Sequence, residues 1–364
     1  MSSSVSTHQI APAQVVRGPG SWREALPQVA ALGLRPLLVG RSIATAPLRQ
    51  RLAADLVAHG PQATVVELQH DCCDRDLQRL EVEAVGCDLV LAVGGGKVLD
   101  AGKLLAHRLD LACVTVPTSA ATCAGWTALA NVYTEAGAFR HDVSLHRCPE
   151  LLIFDHDLVR QAPARTLASG IADAMAKWYE ASVSSGASCD GLIQQAVQMA
   201  RVLRDQLLLD GQAALHDPAG EAWVRVVEAC GLTAGLIGGI GGARCRTVAA
   251  HAVHNGLTQL AATHGWLHGE KVGVGILVQL RLEELVGGNQ LAGQARRQLI
   301  PFFEALQLPV SLAQLGLAAA SLTDLEAVCR FACRPGSDLH HLPFAVAPQD
   351  LLAALVSCNV LQPA

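Results

Sequence analysis

The sequence predicts an α/β unit built on a doubly wound parallel sheet, followed by an all-α unit. Three observations carry this reading. Short β-rich runs alternate with helical stretches through the first 160 residues, long Ala/Leu periodicities take over from about Thr166, and strand signals almost vanish beyond that point. The expected division is an α/β unit over 1–162 and a helical unit over 163–364.

The elements follow in order. "RPLLVGR" (35–41), "ATVVELQ" (63–69), "DLVLAVGGG" (88–96) and "LACVTVP" (111–117) each read as buried strands. Between them lie helical patterns such as "SIATAPLRQRLAADLVAHG" and "KVLDAGKLLAHRL". Such alternation implies parallel pairing, with helices covering both faces of the sheet. "NVYTEAGAFRHDVSL" (131–145) reads as a hairpin turning at Glu135–Gly137, and "ELLIFDHDLV" (150–159) as a last strand. After "QAPAR" come "LASGIADAMAKWYEASV", "GLIQQAVQMARVLRDQLL", "EAWVRVVEACGLTAGLIGG", "EKVGVGILVQLRLEELVGG" and "NQLAGQARRQLIPFFEAL", all at helical period. Two units of this kind leave a cleft between them, a preferred place for a site.

Composition narrows the function. The chain has 364 residues, 51% hydrophobic and 16% charged, enough to bury a large core. A net charge of −5 provides no field for a polyanion, so no nucleic-acid partner is expected. The opening "MSSSVSTHQIAPAQ" shows no secretory pattern, and the apolar runs read as shorter than the roughly 18–20 residues of a membrane span. The twelve cysteines are scattered, with no CxxC. The expectation is a cytoplasmic protein with reduced thiols and no membrane partner.

"DLVLAVGGGKVLDAGK" places Gly94, Gly95 and Gly96 where a strand becomes a helix, with Lys97 and Lys103 nearby. Backbone N–H groups can approach a phosphate there, and the helix start adds partial positive charge. A tight turn without a ligand would look the same. "VPTSAATCAGWTALANVY" (116–133) is a second loop of small hydroxyl residues after the next strand. Two such loops at adjacent strand ends point to a Rossmann-like dinucleotide site.

"HAVHNGLTQLAATHGWLH" puts His251, His254, His264 and His268 into one apolar stretch. His251 and His254 share a helix face, and His268 starts the next helix. Upstream, Asp173 faces inward from an apolar helix, where an unpaired carboxylate is costly. Lys177, four residues on, could pair with it directly. One carboxylate with two imidazoles would also suit zinc with an open fourth position.

Together, "GGGKVLDAGK", "VPTSAATCAGWTALANVY", "LASGIADAMAKWYEA" and "AAHAVHNGLTQLAATHGWLHGEKVGVGILVQL" resemble the iron-containing (group III) alcohol dehydrogenases, in their glycerol dehydrogenase-like group. The likeness runs in order from about residue 15 to the C-terminus. "ATCAGWT", "GIADAMAKWYEA" and "CRPGSDLHHLPFAV" are most similar to the hydroxycarboxylate dehydrogenase (2-oxobutanoate reductase) branch. The resemblance implies a dehydroquinate synthase-like architecture, with a nucleotide-binding first unit and a helical second unit carrying a catalytic divalent metal in the cleft. It implies Asp173, His251 and His268 as ligands of Zn²⁺, with Fe²⁺ as the alternative, and leaves His254 either behind the ligands or facing substrate. Cofactor contacts are implied for Gly95, Gly96, Lys97, Asp100, Thr118, Ser119, Thr127, Leu129 and Tyr133. Homo-oligomers are common in the family.

Three departures matter. Cys123 stands where glycerol dehydrogenases usually have a substrate-contacting Asp. Lys177 stands where iron enzymes often carry a further histidine, and its ammonium would suit a carboxylate-bearing substrate. Arg41, near the second strand's end where NAD-preferring members tend to have an Asp, would welcome a 2′-phosphate, favouring NADP(H) over NAD(H). Arg41 could equally be an ordinary exposed arginine. The expected activity is hydride transfer between NAD(P)H and a small 2-oxo or 2-hydroxy acid. His254 or a chain of waters would relay a proton, and Lys177, Arg140 or Arg334 would hold the carboxylate. The alternatives are an NAD-dependent glycerol dehydrogenase, a metal-dependent lyase of the dehydroquinate synthase type and a non-catalytic binding protein.

Overall fold

A computed structural model describes residues 7–359; residues 1–6 of the opening stretch, and the last five of the chain, lie outside this range. The described residues form a six-stranded sheet of β1 (Gln14–Gly18), β2 (Pro36–Gly40), β3 (Thr64–Glu67), β4 (Leu89–Gly94), β5 (Ala112–Pro117) and, after a hairpin, β8 (Leu151–Asp155). The strands lie in the order β1-β8-β5-β4-β2-β3, and every neighbouring pair is parallel. β2 and β8 are buried along their whole length, as expected of strands covered on both faces. β1 is missing from the elements the sequence singles out. It is a half-exposed edge strand, QVVRG, with too little apolar pattern to stand out.

Helices α1 (Ser21–Leu32), α2 (Ala46–Val57), α3 (Asp74–Glu83) and α4 (Gly96–Leu109) connect the strands. From β2 the chain moves to β3 on one side, and from β4 to β5 on the other. The winding therefore reverses between β2 and β4. This is where ligands of open α/β sheets bind, outside the C-terminal strand ends. Here those ends are Gly40–Arg41 and Gly94–Gly96.

The hairpin is made by β6 (Leu129–Tyr133) and β7 (Phe139–Ser144), and Gly137 in its turn takes φ 90°. The last strand is shorter than the 150–159 expected. The Asp155 carboxylate accepts from the Asp157 N–H at 2.8 Å and starts the short helix α5 (His156–Val159).

The rest is helical: α6 (Ala164–Ser185), α7 (Gly191–His216), α8 (Glu221–Glu228), α9 (Ala234–Gly241), α10 (Ala249–Leu257), α11 (His268–Leu285), α12 (Gln290–Ala305), α13 (Leu322–Ala332) and α14 (Pro348–Ser357). A π turn at Ala229–Thr233 joins α8 to α9 in one helix of 21 residues. This corrects the expectation that no apolar stretch reaches spanning length. By length and composition Glu221–Gly241 is long enough, but 61% of its apolar window is buried inside the protein, as in a core helix.

α11 is buried from Gly269 to Glu283, so the polar side chains within that stretch have to find partners inside the protein. Its Gln279 accepts from the Ala250 N–H at 3.1 Å and donates to the Tyr179 carbonyl at 2.8 Å, stitching α10, α11 and α6 together. Glycines set how closely these helices approach. A Cβ on Gly269 would stand 1.7 Å from the Ser169 carbonyl oxygen, and one on Gly275 2.3 Å from that of Ala250. All twelve cysteines lie among the described residues and are free.

Candidate active site

α6 carries Asp173, Lys177 and Glu180 at i, i+4 and i+7, hence on one buried face. α10 brings His251 and His254 against that face, and α11 begins at His268. His251 Nε2 lies 3.3 Å and His268 Nε2 3.4 Å from Asp173 Oδ1. These three ligand atoms all fall within 4.8 Å of one another. Ligands about 2.0–2.2 Å from a tetrahedral centre stand roughly 3.3–3.6 Å apart, so the donor set fits a small divalent ion.

Glu180 was not foreseen, although its i+7 spacing from Asp173 signals it. It is fully buried. Its Oε1 accepts from the N–H groups of Val248 and His251 at 2.7 and 3.0 Å, satisfying the start of α10. Its Oε2 lies 2.6 Å from His251 Nδ1. With the proton held there, the Nε2 lone pair faces Asp173 and the ion position, the usual arrangement behind a metal-binding histidine.

Lys177 Nζ lies 4.0 Å from Asp173 Oδ1 and donates to the Arg246 carbonyl at 3.3 Å. Burial alone would raise the Asp173 carboxyl, but the Lys177 ammonium and the two imidazoles hold it well below the usual carboxylate range. His254 stands apart from the three-residue set. Its ring lies against that of His268, tilted by 57° with centroids 4.2 Å apart, and Nδ1 meets Asn255 Oδ1 at 3.0 Å. Burial first, and then His268, Lys271 and His251 around it, push it well below an ordinary histidine and so favour the neutral imidazole. Cys123 is also neutral: burial raises its thiol.

The nucleotide end is built from the β4–α4 turn. Gly95 is extended as the N-cap of α4, leaving the first N–H groups of that helix pointing into the cleft. Lys97 forms an ion pair with Asp71 and lies 4.9 Å over the Tyr133 ring. Arg41 pairs with the same Asp71. That carboxylate, in an aperiodic loop, gave no sequence signal.

A cleft of about 660 Å³ is lined by Asp173, His251 and His268, by His254, Lys177 and Cys123, and by Arg41, the Gly94–Lys97 turn, Asp100, Thr118, Ser119, Thr127, Leu129 and Tyr133. Asp100 does more than line it. Asp100 is buried and accepts from the Asn131 N–H at 3.2 Å, and Lys103 holds its other oxygen at 3.1 Å. Lys103 is therefore no phosphate ligand. It is buried and donates to the Thr127 carbonyl at 3.0 Å and to that of Leu129, fastening the second loop to α4. Arg140 and Arg334 are also corrected. Arg140 pairs with Asp74 at 2.8 Å, Arg334 stacks 3.8 Å over Phe331, and neither lines the cleft. Arg246 does line it, with Nε buried and free of any hydrogen bond.

The family model described as iron-containing alcohol dehydrogenase matches residues 12–156. An uncharacterized oxidoreductase of Synechocystis is 59% identical over 80% of this chain and 76% of its own length. Hydroxycarboxylate dehydrogenase A of Escherichia coli is 36% identical over 81% of each chain. The chain belongs to the iron-containing alcohol dehydrogenase family. Among solved structures, a probable glycerol dehydrogenase from Sinorhizobium meliloti matches this iron-containing alcohol dehydrogenase with a TM-score of 0.85 and 29% identity, covering 96% of this chain and 97% of the other. The family resemblance read from the motifs and the parallel-sheet fold therefore both hold. The protein is an oxidoreductase acting on CH–OH groups of small molecules, and its family implies a metal ion and NAD(H).

Proposed function

We propose that this dehydrogenase transfers a hydride between NADP(H) and a small 2-oxo or 2-hydroxy acid, with zinc held by Asp173, His251 and His268. One observation carries the substrate class. Two cationic side chains, Lys177 and Arg246, line the cleft beside the Asp173 cluster, while a neutral thiol, Cys123, stands where a polyol-binding carboxylate would be expected.

Zinc, when bound, supplies a Lewis acid that polarises the substrate oxygen, and the nicotinamide supplies or accepts the hydride. The chain's own residues do the rest. Glu180 keeps His251 in the tautomer that presents Nε2. Lys177 and the Arg246 guanidinium hold the carboxylate and so orient the reacting carbon. With Nδ1–H given to Asn255, His254 Nε2 can hold or pass on the proton of the hydroxyl. The N–H groups at the start of α4 receive the pyrophosphate, and Arg41 and Lys97 receive a 2′-phosphate. On this reading the chain divides after residue 162 into a nucleotide-binding and a metal-binding unit.

The second reading, an NAD-dependent glycerol dehydrogenase, draws on Asp71. Its carboxylate already engages Arg41 and Lys97 and could accept from a ribose hydroxyl. Lys177→Met and Arg246→Leu separate the two readings. Each removes one charged hydrogen bond, about 1.5–3 kcal/mol, so KM for a 2-oxo acid should rise about 10- to 100-fold with KM for the nucleotide unchanged. An unchanged KM for the oxo acid in both variants sinks the carboxylate assignment.

A further inference from the structure

The loop from β3 into α3 carries a second cluster of metal-binding side chains that the reaction does not use. One ligand atom each from His70, Cys73 and Asp76 lie within 4.8 Å of one another. The spacing, HDCCDRD over 70–76, places Cys73 at the N-cap of α3 and Asp76 in its first turn. Cys73 and Asp76 are both buried, at 2% and 1% exposure, and His70 is partly exposed.

The hydrogen bonding of this cluster is incomplete. Asp76 Oδ2 accepts from the His70 backbone N–H at 2.7 Å, which fixes the loop against the helix. Its other oxygen, Oδ1, is buried without a hydrogen bond and faces His70 Nδ1, equally buried and unbonded, at 3.6 Å. Leaving two such atoms dry and unpaired is costly. Arg79 Nη2 also stands 3.6 Å from Oδ1, but that group donates to the Glu67 carbonyl and Nη1 to Glu83. Glu135 lies on the other side of the imidazole, 3.9 Å from His70 Nε2, and is engaged by Arg75 at 2.8 Å.

A divalent ion would complete both orphaned atoms at once. The 3.6 Å separation is an edge that a tetrahedral ion with ligands at about 2.0–2.2 Å accommodates. A thiolate, an imidazole and a carboxylate together select a borderline ion of the zinc class over magnesium or calcium. Three protein ligands leave a fourth position for a further donor.

We propose that His70, Cys73 and Asp76 bind a second ion of the zinc class that ties the β3–α3 loop to its helix. The loop also carries Asp71, the carboxylate between Arg41 and Lys97 at the nucleotide end of the cleft. Occupancy of the second site therefore fixes the charge that the nucleotide meets, some distance from the reacting carbon.

Cobalt(II) distinguishes the two sites, because only a thiolate ligand gives a near-ultraviolet sulfur-to-cobalt charge-transfer band. Full-length protein stripped with chelator and titrated with Co²⁺ should bind two equivalents and show that band. Asp173→Asn should bind one equivalent and keep the band. Cys73→Ala should bind one and lose it, with kcat retained and KM for the nucleotide raised; His70→Ala, at a partly exposed position, should likewise bind one equivalent. One equivalent and no band in the native chain overturns the proposal, as does a band that survives Cys73→Ala or disappears in Asp173→Asn. These outcomes do not depend on which substrate the enzyme reduces.

Discussion

Asp173→Ala and His251→Ala should each lose the metal proposed for this cluster and with it turnover, whereas His254→Ala should keep its metal. The three positions lie close enough that sequence spacing cannot rank the two histidines, but the structure separates them. His251 points Nε2 at Asp173 from 3.3 Å and has its other nitrogen fixed by Glu180, while His254 spends Nδ1 on Asn255 and leans its ring against that of His268. Metal content measured on the purified variants decides it. His254→Ala should retain a full equivalent at this cluster yet lose about 100-fold or more in kcat, the loss expected for a proton-transfer group. Glu180→Gln belongs to the same series. It preserves shape and removes the charge behind His251, so metal affinity or activity should fall about 10- to 100-fold. Metal lost from His254→Ala but retained by His251→Ala would reverse the assignment.

Gly269→Ala is expected to damage stability and the metal cluster together. The alanine Cβ would stand 1.7 Å from the Ser169 carbonyl oxygen, which belongs to the backbone of α6 and cannot swing aside. α6 and α11 must separate, and they carry Asp173 and His268 on either side of that contact. The Gly269 N–H also loses its 3.0 Å bond to Ser169 Oγ. Overpacking of this kind costs about 1–3 kcal/mol and occasionally more, seen as a lower thermal midpoint, and metal affinity should fall with it. Gly273→Ala, one turn along the same helix, is the control. Its Cβ would meet the Ala172 Cβ at 3.4 Å and the Phe303 ring at 3.6 Å, ordinary contacts, so helix propensity should leave stability equal or higher by up to about 1 kcal/mol. Equal midpoints for Gly269→Ala and the native chain would show that the helices do not need this approach.

What the sequence revealed depended on whether a residue's role followed from local pattern. Central strands such as β4 are unbroken apolar runs, and α6 and α11 keep helical period over long stretches, so both kinds of element were legible. The edge strand β1, with two apolar residues, was not. The Asp173, His251 and His268 set was reachable because each sits in a motif with its own spacing. Glu180 was overlooked because its partners, the N–H groups of Val248 and His251, lie some 70 positions along the chain. Lys103 misled for the converse reason. It is close in sequence to the glycine turn, but two helical turns into α4 it points at the β5–β6 loop carbonyls. Arg140 and Arg334 failed as carboxylate ligands because charge alone says nothing of direction. Arg246, in a short irregular segment after α9, carried no periodicity to show that it borders the cleft.

The most direct test of the proposed reaction compares, on zinc-loaded enzyme, kcat/KM for 2-oxobutanoate and 2-oxoglutarate reduction by NADPH and NADH with that for glycerol and 1,2-propanediol oxidation by NAD⁺. The account predicts that an oxo acid with NADPH is the best pair, as Lys177, Arg246 and Cys123 at one end and Arg41 at the other require. Preference for a diol with NAD⁺ would contradict it and make the enzyme a glycerol dehydrogenase in which those residues serve only structure.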